Sequence, residues 1–511
     1  MAKKIMLQGT SSNVGKSIIT TALCRIFYRQ GYKTAPFKAQ NMALNSFVTL
    51  WGHEIGRAQV AQAEAAGIPP IVQMNPVLLK PTGNQSSQVV LMGKPVGVYS
   101  AKDYHTKYSL MALDKVKESL LYLDEHFERV VIEGAGSPAE VNLKANDIVN
   151  MRVAKMANIP VLLVADIDRG GSIAAIVGTL ELLEPEERDL VKGVIINKFR
   201  GDINLLTPAL DFIEQKTGKK VVGVIPAIDN LDIDEEDSVA LEKRPFLRNK
   251  ELTITVIQTP KISNFTDFDA LSREPDVALR FVKPGESIGY SDLVILPGSK
   301  NTLADLQYIK EEGYADELAA LVAEGVPVIG ICGGYQMLGT KLADPEGMEG
   351  SIKSMDGLNL LPMVTTMSRE KMTHQVAFDV PCLRFMGGTY EGQDLSGYEI
   401  HMGRTEFEGE HTPNFMITKR SHDAVQIGDG GTGSENRVLG TYIHGIFDND
   451  ELRYFILNQL RINKGLPPLE RTFKYRAHKE AAYNRLADIV ESHLDMDYIN
   501  HLFKEPNVWN G

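Results

Sequence analysis

Cysteine, long apolar runs and excess positive charge are all scarce in this sequence. Its 3 cysteines (Cys24, Cys332 and Cys382) are too few and too scattered for a disulfide framework, which indicates a reducing, cytoplasmic compartment. No apolar stretch approaches membrane-spanning length, and the opening MAKKIMLQGT holds too short an apolar run for a secretory signal. We therefore expect a protein without membrane contacts.

The charge balance argues against a general nucleic-acid binder. The chain has 54 basic and 66 acidic residues, which gives a net charge of −12. Its hydrophobic content of 43% and charged content of 23% are ordinary for a globular protein. A length of 511 residues suits roughly two or three domain-sized units.

Short apolar runs alternate with helix-like segments in the first half of the chain. Val130–Ile132 and Gly193–Asn197 are two such runs, and this spacing predicts a parallel sheet with helices on both faces. The charge-rich stretch 231–250 breaks the pattern. A second α/β series then runs to about residue 443, and after residue 448 the chain is mainly helical and polar.

A phosphate-binding loop is predicted near the N-terminus, in IMLQGTSSNVGKS (residues 5–17). A strand-like run leads into a small-residue loop and then a helix, and helix N–H groups at such a junction face phosphates. Lys16 would reach the β and γ phosphates, and Ser17 would hold Mg²⁺. The spacing of this loop is a variant of the usual one. A partitioning-type ATPase is an alternative, but Ser11 stands where such ATPases carry an extra lysine, so the sequence favours it less. The predicted ATP-binding residues are Thr10, Asn13, Gly15, Lys16, Ser17 and Asn197.

Acidic side chains end two of the predicted strands. Glu133 ends the run VVIE, and Asp166 and Asp168 follow VLLVA. A carboxylate at a strand end beside a phosphate loop is well placed to hold Mg²⁺, although such acids also cap helices. We take Ser17, Glu133 and Asp166 as the metal residues. Asn197 would contact the adenine of ATP or pack beneath it.

A second chemical motif lies in VPVIGICGGYQMLG (residues 326–339). An apolar run meets Cys332 and two glycines before a helix-like segment, which suits a sharp strand-to-helix turn that exposes a nucleophile. A thiolate there could attack an amide carbon while backbone N–H groups hold the oxyanion. The alternative is a small buried cysteine in a glycine-rich turn.

Such a cysteine needs a base, and the sequence offers two candidates. His444 ends the strand-like run in GTYIHGIF, and His401 lies in GYEIHMGRT. A Cys–His pair provides thiolate at neutral pH and a proton for the leaving ammonia. We choose His444, with His401 as its rival and a structural role open for both.

The motifs together resemble the CobB/CobQ family of glutamine-dependent amidotransferases. The resemblance rests on QGTSSNVGKS, PFKAQNMALNS, EGAGSPAE, DIDRGG, INKFRGD, LPGSKNT, GICGGYQMLG, GYEIHMGRT and YIHGIF, which span nearly the whole chain. KAQNMALNS points to the CobQ branch rather than to the a,c-diamide-forming branch. The implied fold is α/β: an N-terminal P-loop domain like dethiobiotin synthetase, with a parallel sheet, and a C-terminal class I glutamine-amidotransferase-like domain with a short helical tail.

The resemblance implies Cys332 as nucleophile, His444 as its base and an oxyanion hole from Gly298, Ser299 and Gly333. Related enzymes carry a glutamate two residues after the histidine, where this chain has Ile446. The third member of the site stays open, with Glu399 as one candidate.

The implied cofactors are ATP and Mg²⁺, and the implied partners are glutamine and a corrinoid. The reaction would amidate the b, d, e and g carboxylates of adenosylcobyrinic acid a,c-diamide. Lys38, Asn41 and Asn45 would line an open basic cleft for this acidic substrate. A cobyrinic acid a,c-diamide synthase and a non-catalytic P-loop switch remain alternatives, and homo-oligomerisation stays open.

These readings predict a division of the chain into functional segments. We expect an ATP-binding synthetase domain over 1–230, a linker over 231–250, a glutamine amidotransferase domain over 251–448 and a helical C-terminal segment over 449–511.

Overall fold

The computed structural model describes residues 1–82, 86–104, 108–229, 231–233, 250–504 and 509. The chain divides into two compact units. Unit 1 comprises residues 1–43, 55–234 and 479–511, and unit 2 comprises residues 44–54 and 235–478. None of the helices in these described ranges combines the length and the apolar character needed to cross a membrane.

Strands and helices are numbered along the chain. The strands of the first half are β1 (Lys3–Gly9), β2 (Thr34–Phe37), β3 (Gln40–Met42), β4 (Ser46–Val48), β5 (Glu54–Gly56), β6 (Val77–Pro81), β7 (Ser86–Leu91), β8 (Lys94–Ser100), β9 (Arg129–Glu133), β10 (Val161–Asp166), β11 (Val191–Phe199) and β12 (Lys220–Pro226). Those of the second half are β13 (Leu252–Ile257), β14 (Ile262–Ser263), β15 (Val277–Val282), β16 (Leu293–Leu296), β17 (Gly298–Ser299), β18 (Val328–Ile331), β19 (Lys341–Ala343), β20 (Ser354–Asp356), β21 (Met363–Phe385), β22 (Gly388–Phe407), β23 (Phe415–Arg420), β24 (Asp423–Asp429), β25 (Gly431–Gly433) and β26 (Val438–Thr441).

The α-helices connect these strands and form the C-terminal segment. They are α1 (Lys16–Arg29), α2 (Arg57–Ala65), α3 (Ala101–Asp103), α4 (Ser109–His126), α5 (Met151–Met156), α6 (Ser172–Leu182), α7 (Pro185–Leu190), α8 (Ile203–Thr217), α9 (Asp269–Ser272), α10 (Thr302–Glu311), α11 (Tyr314–Ala323), α12 (Gly333–Met337), α13 (Asp450–Asn463), α14 (Tyr475–His493) and α15 (Met496–Leu502).

A six-stranded parallel sheet forms the centre of unit 1, in the order β12-β11-β10-β1-β9-β2. The central strands are buried on both faces, and their near-continuous apolar sequences are typical of parallel sheets. The carboxyl ends of β1, β9 and β10 are neighbours, and open α/β sheets bind ligands at such ends. A smaller sheet, β3-β6-β7-β8, completes this unit.

The C-terminal residues are part of the core of unit 1. Leu486 and Val490 of α14, and Leu502 of α15, are buried in the same apolar cluster as Leu23 of α1. The predicted helical segment 449–511 is therefore divided, because α13 packs its apolar face into unit 2. Apolar spacing on a helix shows that one face is buried but not which core receives it.

Unit 2 contains a second six-stranded sheet, in the order β15-β13-β16-β18-β26-β25. Only the edge strand β25 runs antiparallel among these strands. The predicted α/β fold class is thus confirmed in both units. A mainly antiparallel sheet built on the long hairpin of β21 and β22 is added to unit 2, and only β19 and β21 pair in parallel there. The sequence indicated only β-like pieces in this region.

The predicted domain boundaries differ from the observed units in one further respect. Residues 44–54 leave the N-terminal part of the chain and belong to unit 2. Most of the predicted linker 231–250, namely residues 234–249, lies outside the described residues, as does residue 230 just before it.

Candidate active sites

The phosphate loop of unit 1 links β1 to α1. Gly15 lies at the start of α1 with φ of 100°, a left-handed conformation that favours glycine. The Nζ of Lys16 donates to the backbone oxygens of Ser11 and Gly136, both at 3.1 Å. A Cβ at Gly9 would lie 2.8 Å from that Nζ, so only glycine lets the loop close around the ammonium group.

Glu133, at the end of β9, is the centre of a buried polar cluster. Its carboxylate accepts hydrogen bonds from Ser17 Oγ at 2.8 Å, Lys38 Nζ at 2.9 Å and Gln62 Nε2 at 2.6 Å. The cluster brings two predicted metal residues together beside the phosphate loop. A hydroxyl and a carboxylate are hard oxygen donors that suit Mg²⁺, which keeps several waters and phosphate oxygens of its own.

The third predicted metal residue, Asp166, has a different environment. Its carboxylate accepts a hydrogen bond from Lys198 Nζ at 2.7 Å and from the N–H of Asp168 at 3.0 Å. Lys198 also donates to the backbone oxygen of Asn13 at 2.6 Å, so it ties β10 to the phosphate loop. Asp166 is thus paired with a lysine, and its role at a metal stays a prediction.

The two remaining predicted ATP residues shape the loop. Thr10 continues the sheet, because its N–H donates to Val164 at 2.9 Å. Asn197 donates through Nδ2 to the oxygen of Val14 at 2.8 Å, and a Cβ at Gly15 would collide with it at 2.1 Å. This bond holds the Asn197 side chain against the phosphate loop, and its position at the adenine of ATP stays a prediction.

The predicted substrate residues do not line an open cleft. Lys38 is 5% exposed and Asn41 is 3% exposed, and Asn41 donates to Gln59 at 3.0 Å. Asn45 belongs to unit 2 and is 1% exposed, and its side chain accepts the N–H of Phe265. The polar spacing of KAQNMALN indicated surface residues, whereas these side chains are used in internal hydrogen bonds.

A cavity of about 320 Å³ lies in unit 1 beside the phosphate loop. Gly136, whose oxygen contacts Lys16, forms part of the cavity wall. Gln40 also lines the cavity, whereas the sequence predicted this role for the nearby Lys38 and Asn41. The lining holds three basic residues (Lys144, Arg152 and Lys155) and three acidic ones (Glu140, Asp147 and Glu187). Glu187 pairs with both lysines, at 2.8 and 3.0 Å.

The elbow of unit 2 holds Cys332 in a strained conformation. Cys332 follows β18 directly with φ of 53° and ψ of −107°, outside the regions that non-glycine residues usually adopt. Its N–H donates to Thr441 of the adjacent strand β26 at 2.8 Å. A Cβ at Gly334 would lie 2.0 Å from Leu296 oxygen, so the turn can pack against β16 only with glycine there.

His444 lies shortly after β26, the strand that pairs with β18. Its imidazole is held by Asp267, which the sequence patterns did not indicate. Its Nδ1 lies 2.6 Å from Oδ2 of Asp267, and Oδ1 of Asp267 accepts the N–H of Gly445 at 3.1 Å. The bond at Nδ1 leaves Nε2 for the thiol. Nε2 makes no regular hydrogen bond among the described residues, but the sulfur of Cys332 lies close enough to His444 to help raise its pKa.

Electrostatics favour a charged imidazole. Burial lowers the pKa of His444, but the carboxylate of Asp267 and the sulfur of Cys332 outweigh it and raise the pKa from 6.5 to about 10. A protonated imidazole beside the sulfur stabilises a thiolate, which is the nucleophilic form of cysteine. The arrangement is a Cys–His–Asp triad.

The predicted oxyanion-hole residues surround this triad. The N–H nitrogen of Ser299 would lie 2.8 Å from a Cβ at Gly333, and a Cβ at Gly298 would lie 3.1 Å from His444. Ser299 is fixed by Asp305, which accepts its hydroxyl at 2.6 Å. Burial raises the pKa of Asp305 to about 6.

His401, the rival base, belongs to a separate network. Its ring stacks on Tyr442 with centroids 3.7 Å apart, and burial lowers its pKa. Glu399, the candidate third member, pairs with Arg420 at 2.7 and 2.9 Å. Burial would raise the pKa of Glu399, but its contacts with His401 and Arg420 hold the pKa below its usual value.

Two chemical functions are therefore placed in one chain. Unit 1 combines a phosphate loop, an oxygen-donor pair and a cavity lined by charged residues of both signs. Unit 2 combines a thiol, a supported imidazole and nearby backbone donors. The class defined by these features is a glutamine amidotransferase joined to a nucleotide-binding P-loop protein.

Comparison with known proteins agrees with this class. Residues 5–239 match the CobQ/CobB/MinD/ParA nucleotide binding domain, and residues 253–452 match the CobB/CobQ-like glutamine amidotransferase domain. The cobyric acid synthase of Moorella thermoacetica is 52% identical, with 100% of this chain and 99% of the relative covered. Those of Desulforamulus reducens (98% of each chain) and Desulfitobacterium hafniense (98% and 97%) are 52% and 53% identical.

The chain belongs to the cobyric acid synthase family. The resemblance to the CobB/CobQ family and to its CobQ branch is thereby confirmed.

Proposed function

We propose that this chain is an ATP- and glutamine-dependent ligase of cobalamin biosynthesis. It would amidate the b, d, e and g carboxylates of adenosylcobyrinic acid a,c-diamide and give adenosylcobyric acid. The relatives named cobyric acid synthase, which align over nearly the full chain at 52–53% identity, support this activity over that of a cobyrinic acid a,c-diamide synthase. The complete triad argues against a non-catalytic switch.

Glutamine hydrolysis would begin with attack of the Cys332 thiolate on the side-chain amide carbon. A C–S bond forms, and the N–H groups of Ser299 and Gly333 hold the oxyanion. His444 then gives its proton to the leaving nitrogen, the C–N bond breaks and ammonia departs. His444 next takes a proton from water, hydroxide attacks the thioester, and glutamate and thiolate are released.

Synthesis would occur at the phosphate loop. A substrate carboxylate oxygen would attack the γ-phosphorus of ATP and displace ADP. Ammonia would then attack the carbonyl carbon of the acyl phosphate and displace phosphate, which gives the amide. Lys16 and the loop N–H groups hold the charge that develops on the phosphates. Ser17 would ligate Mg²⁺, with Glu133 acting through water, and the ion supplies further charge neutralisation.

The acceptor carboxylate would enter through the 320 Å³ cavity. The wall of this cavity at Gly136 is shared with the Lys16 contacts, so a carboxylate there lies beside the transferred phosphoryl group. Arg152 would attract the acidic substrate. Lys38 would support Glu133, to which it donates a hydrogen bond, and Asn41 would support Gln59 in the same way, rather than contact the corrinoid directly.

Other partners follow from the same chemistry. Glutamine is the nitrogen donor and a corrinoid is the acceptor. The three free cysteines support a reducing, cytoplasmic compartment.

The observation that carries this proposal is the strained Cys332 beside an imidazole that Asp267 supports. Cys332→Ser tests it, because an alcohol at this position is far less nucleophilic than a thiolate. Glutamine hydrolysis should vanish, while amidation from added ammonium salt should survive at close to the wild-type rate. Glutamine-driven amidation by the serine variant would refute Cys332 as the nucleophile. Assays with each corrinoid separate the two substrate candidates.

A further inference from the structure

Residues 44–54, which we call the inserted segment, belong to unit 2 although the chain before and after them belongs to unit 1. The preceding residues include Lys38, which contacts Glu133, and Gln40, which lines the cavity. The inserted segment is therefore the direct continuation of the wall of the synthetase site. Its own contacts are made with residues that neighbour the glutaminase triad and with β21.

The first contact holds the acid of the triad. Oδ1 of Asn45 accepts the N–H of Phe265 at 3.2 Å, and Oδ1 of Asn264 accepts the N–H of Ser46 at 3.1 Å. These reciprocal bonds are buried, and they lie at the start of the short 3₁₀ helix Phe265–Phe268, which carries Asp267. Asn264 adopts a left-handed conformation, with φ of 54°, that these bonds fix.

The second contact supports the base. The Phe47 ring packs on Tyr398 with centroids 4.7 Å apart, and Tyr398 stacks on His444 at 5.0 Å with an interplanar angle of 14°. Tyr398 and His444 also exchange two backbone hydrogen bonds, at 3.2 and 2.9 Å. Phe47 thus acts on the imidazole through one aromatic ring.

The far end of the inserted segment is attached away from the triad. Gln375 donates to the oxygen of Val48 at 2.9 Å, and Thr373 donates to that of Gly52 at 2.9 Å. Lys371 pairs with Glu54. These bonds fix the end beyond Phe47 to β21, so Asn45 and Phe47 are the positions at which a displacement of residues 38–43 first reaches the triad.

We propose that the inserted segment couples occupancy of the ATP and acceptor site to glutamine hydrolysis, with Asn45 and Phe47 as positioning residues for Asp267 and His444. The inference rests on the proposed function. ATP and acceptor bind beside Lys38 and Gln40. The resulting displacement of residues 38–43 passes along the chain to Asn45 and Phe47, whose contacts support Asp267 and His444. Coupling between sites in proteins typically amounts to about 5- to 150-fold.

The experiment measures glutamine hydrolysis with and without ATP plus the corrinoid acceptor. We expect the wild-type enzyme to be stimulated by both ligands together. Asn45→Ala and Phe47→Leu should reduce the stimulated kcat at least tenfold toward the unstimulated level, with little change in the glutamine KM. Phe47→Tyr keeps the ring and should retain the stimulation. Thr373→Val, which removes a far-end bond, is the matched control and should behave as wild type.

Two further readouts separate positioning from general structural support. Synthesis from ammonium salt should be unchanged in Asn45→Ala and Phe47→Leu. The alkaline limb of the pH profile for glutamine kcat/KM should also move, because a displaced Asp267 or Tyr398 alters the pKa of His444.

Each other outcome has a definite meaning. A wild-type enzyme that hydrolyses no glutamine refutes the proposed function and this inference with it. Wild-type hydrolysis without stimulation, or variants that are stimulated like Thr373→Val, overturns the coupling alone. Loss of ammonium-driven synthesis in parallel with hydrolysis also overturns it, because the inserted segment would then support folding in general.

Discussion

At the scale of single residues, we expect the proposed glutaminase chemistry to depend on Asp267 more than on any side chain other than Cys332 and His444. Asp267→Asn removes the carboxylate while keeping the volume, and with it the largest contribution that raises the pKa of His444. We expect kcat/KM for glutamine hydrolysis to fall by roughly 10²–10⁴-fold, and its alkaline limb to move to lower pH. A pH–rate profile of wild type and variant measures both. An unchanged profile would remove Asp267 from the triad.

The same pair makes stability depend on pH. The folded-state pKa of His444, about 10, lies above its ordinary value of 6.5, so the pair stabilises the fold fully below that lower value. This contribution is lost as the pH rises through the folded-state pKa. Urea midpoints of wild type and Asp267→Asn should therefore differ more at about pH 6 than at about pH 10.5. An equal difference at both pH values would contradict the charge assignment.

Sequence patterns identified Cys332 and His444 but not Asp267. Both of the former end apolar runs, and β18 and β26 are neighbours in a parallel sheet, so pattern and topology converge on them. Asp267 lies 177 residues before His444 on a short 3₁₀ helix that has no periodicity to reveal it. Glu399 was a reasonable candidate from its strand position, but Arg420 neutralises it. Which acidic residue supports the imidazole is therefore determined by the three-dimensional fold and not by spacing in the sequence.

At the scale of secondary-structure elements, the last two helices, α14 and α15, pack into the core of the nucleotide-binding unit. Leu486 on α14 is fully buried in the core that also contains Leu23 of α1. Leu486→Ala should lower the free energy of unfolding by about 2–5 kcal/mol, since it leaves a cavity in a packed core. Denaturant titration measures the loss. A change within about 0.5 kcal/mol would instead mark α14 as a detachable tail, because surface substitutions have effects of that size.

The elements themselves were predicted unevenly. Apolar runs located β1, β9 and β10, because strands of a parallel sheet are buried on both faces. The long hairpin of β21 and β22 was expected only as β-like pieces. The exposed face of this hairpin is polar. Its turn depends on positive φ at Met386 and Gly387, and the sequence does not identify these two residues as a turn pair.

At the scale of the whole molecule, the two chemistries should be separable by mutation. Lys16→Ala removes the ammonium group that the phosphate loop encloses, and synthesis should fall by at least roughly 10²–10³-fold with either glutamine or ammonium as nitrogen source. Unstimulated glutamine hydrolysis should persist, because the triad is intact. Rates with both nitrogen sources provide the measurement. Full synthesis with either source would remove the phosphate loop from the reaction.

The division of the whole chain was harder to predict than the two folds. Two segments belong to a different unit from the residues that precede them. Residues 44–54 follow part of unit 1 but belong to unit 2, and residues 479–511 follow unit 2 but belong to unit 1. Neither excursion changes composition or interrupts an apolar pattern, so a linear reading places boundaries only at charge-rich stretches such as 231–250. Three-dimensional contacts carry this information.

The central claim is that nitrogen released by Cys332 is the nitrogen that the activated carboxylate receives. The most direct measurement supplies glutamine labelled with ¹⁵N in its side-chain amide, together with ATP, the corrinoid acceptor and unlabelled ammonium, and reads the isotope in the product by mass spectrometry. Wild type should incorporate ¹⁵N, and Cys332→Ser should incorporate only unlabelled nitrogen. Labelled product from Cys332→Ser, or unlabelled product alone from wild type, would contradict the account.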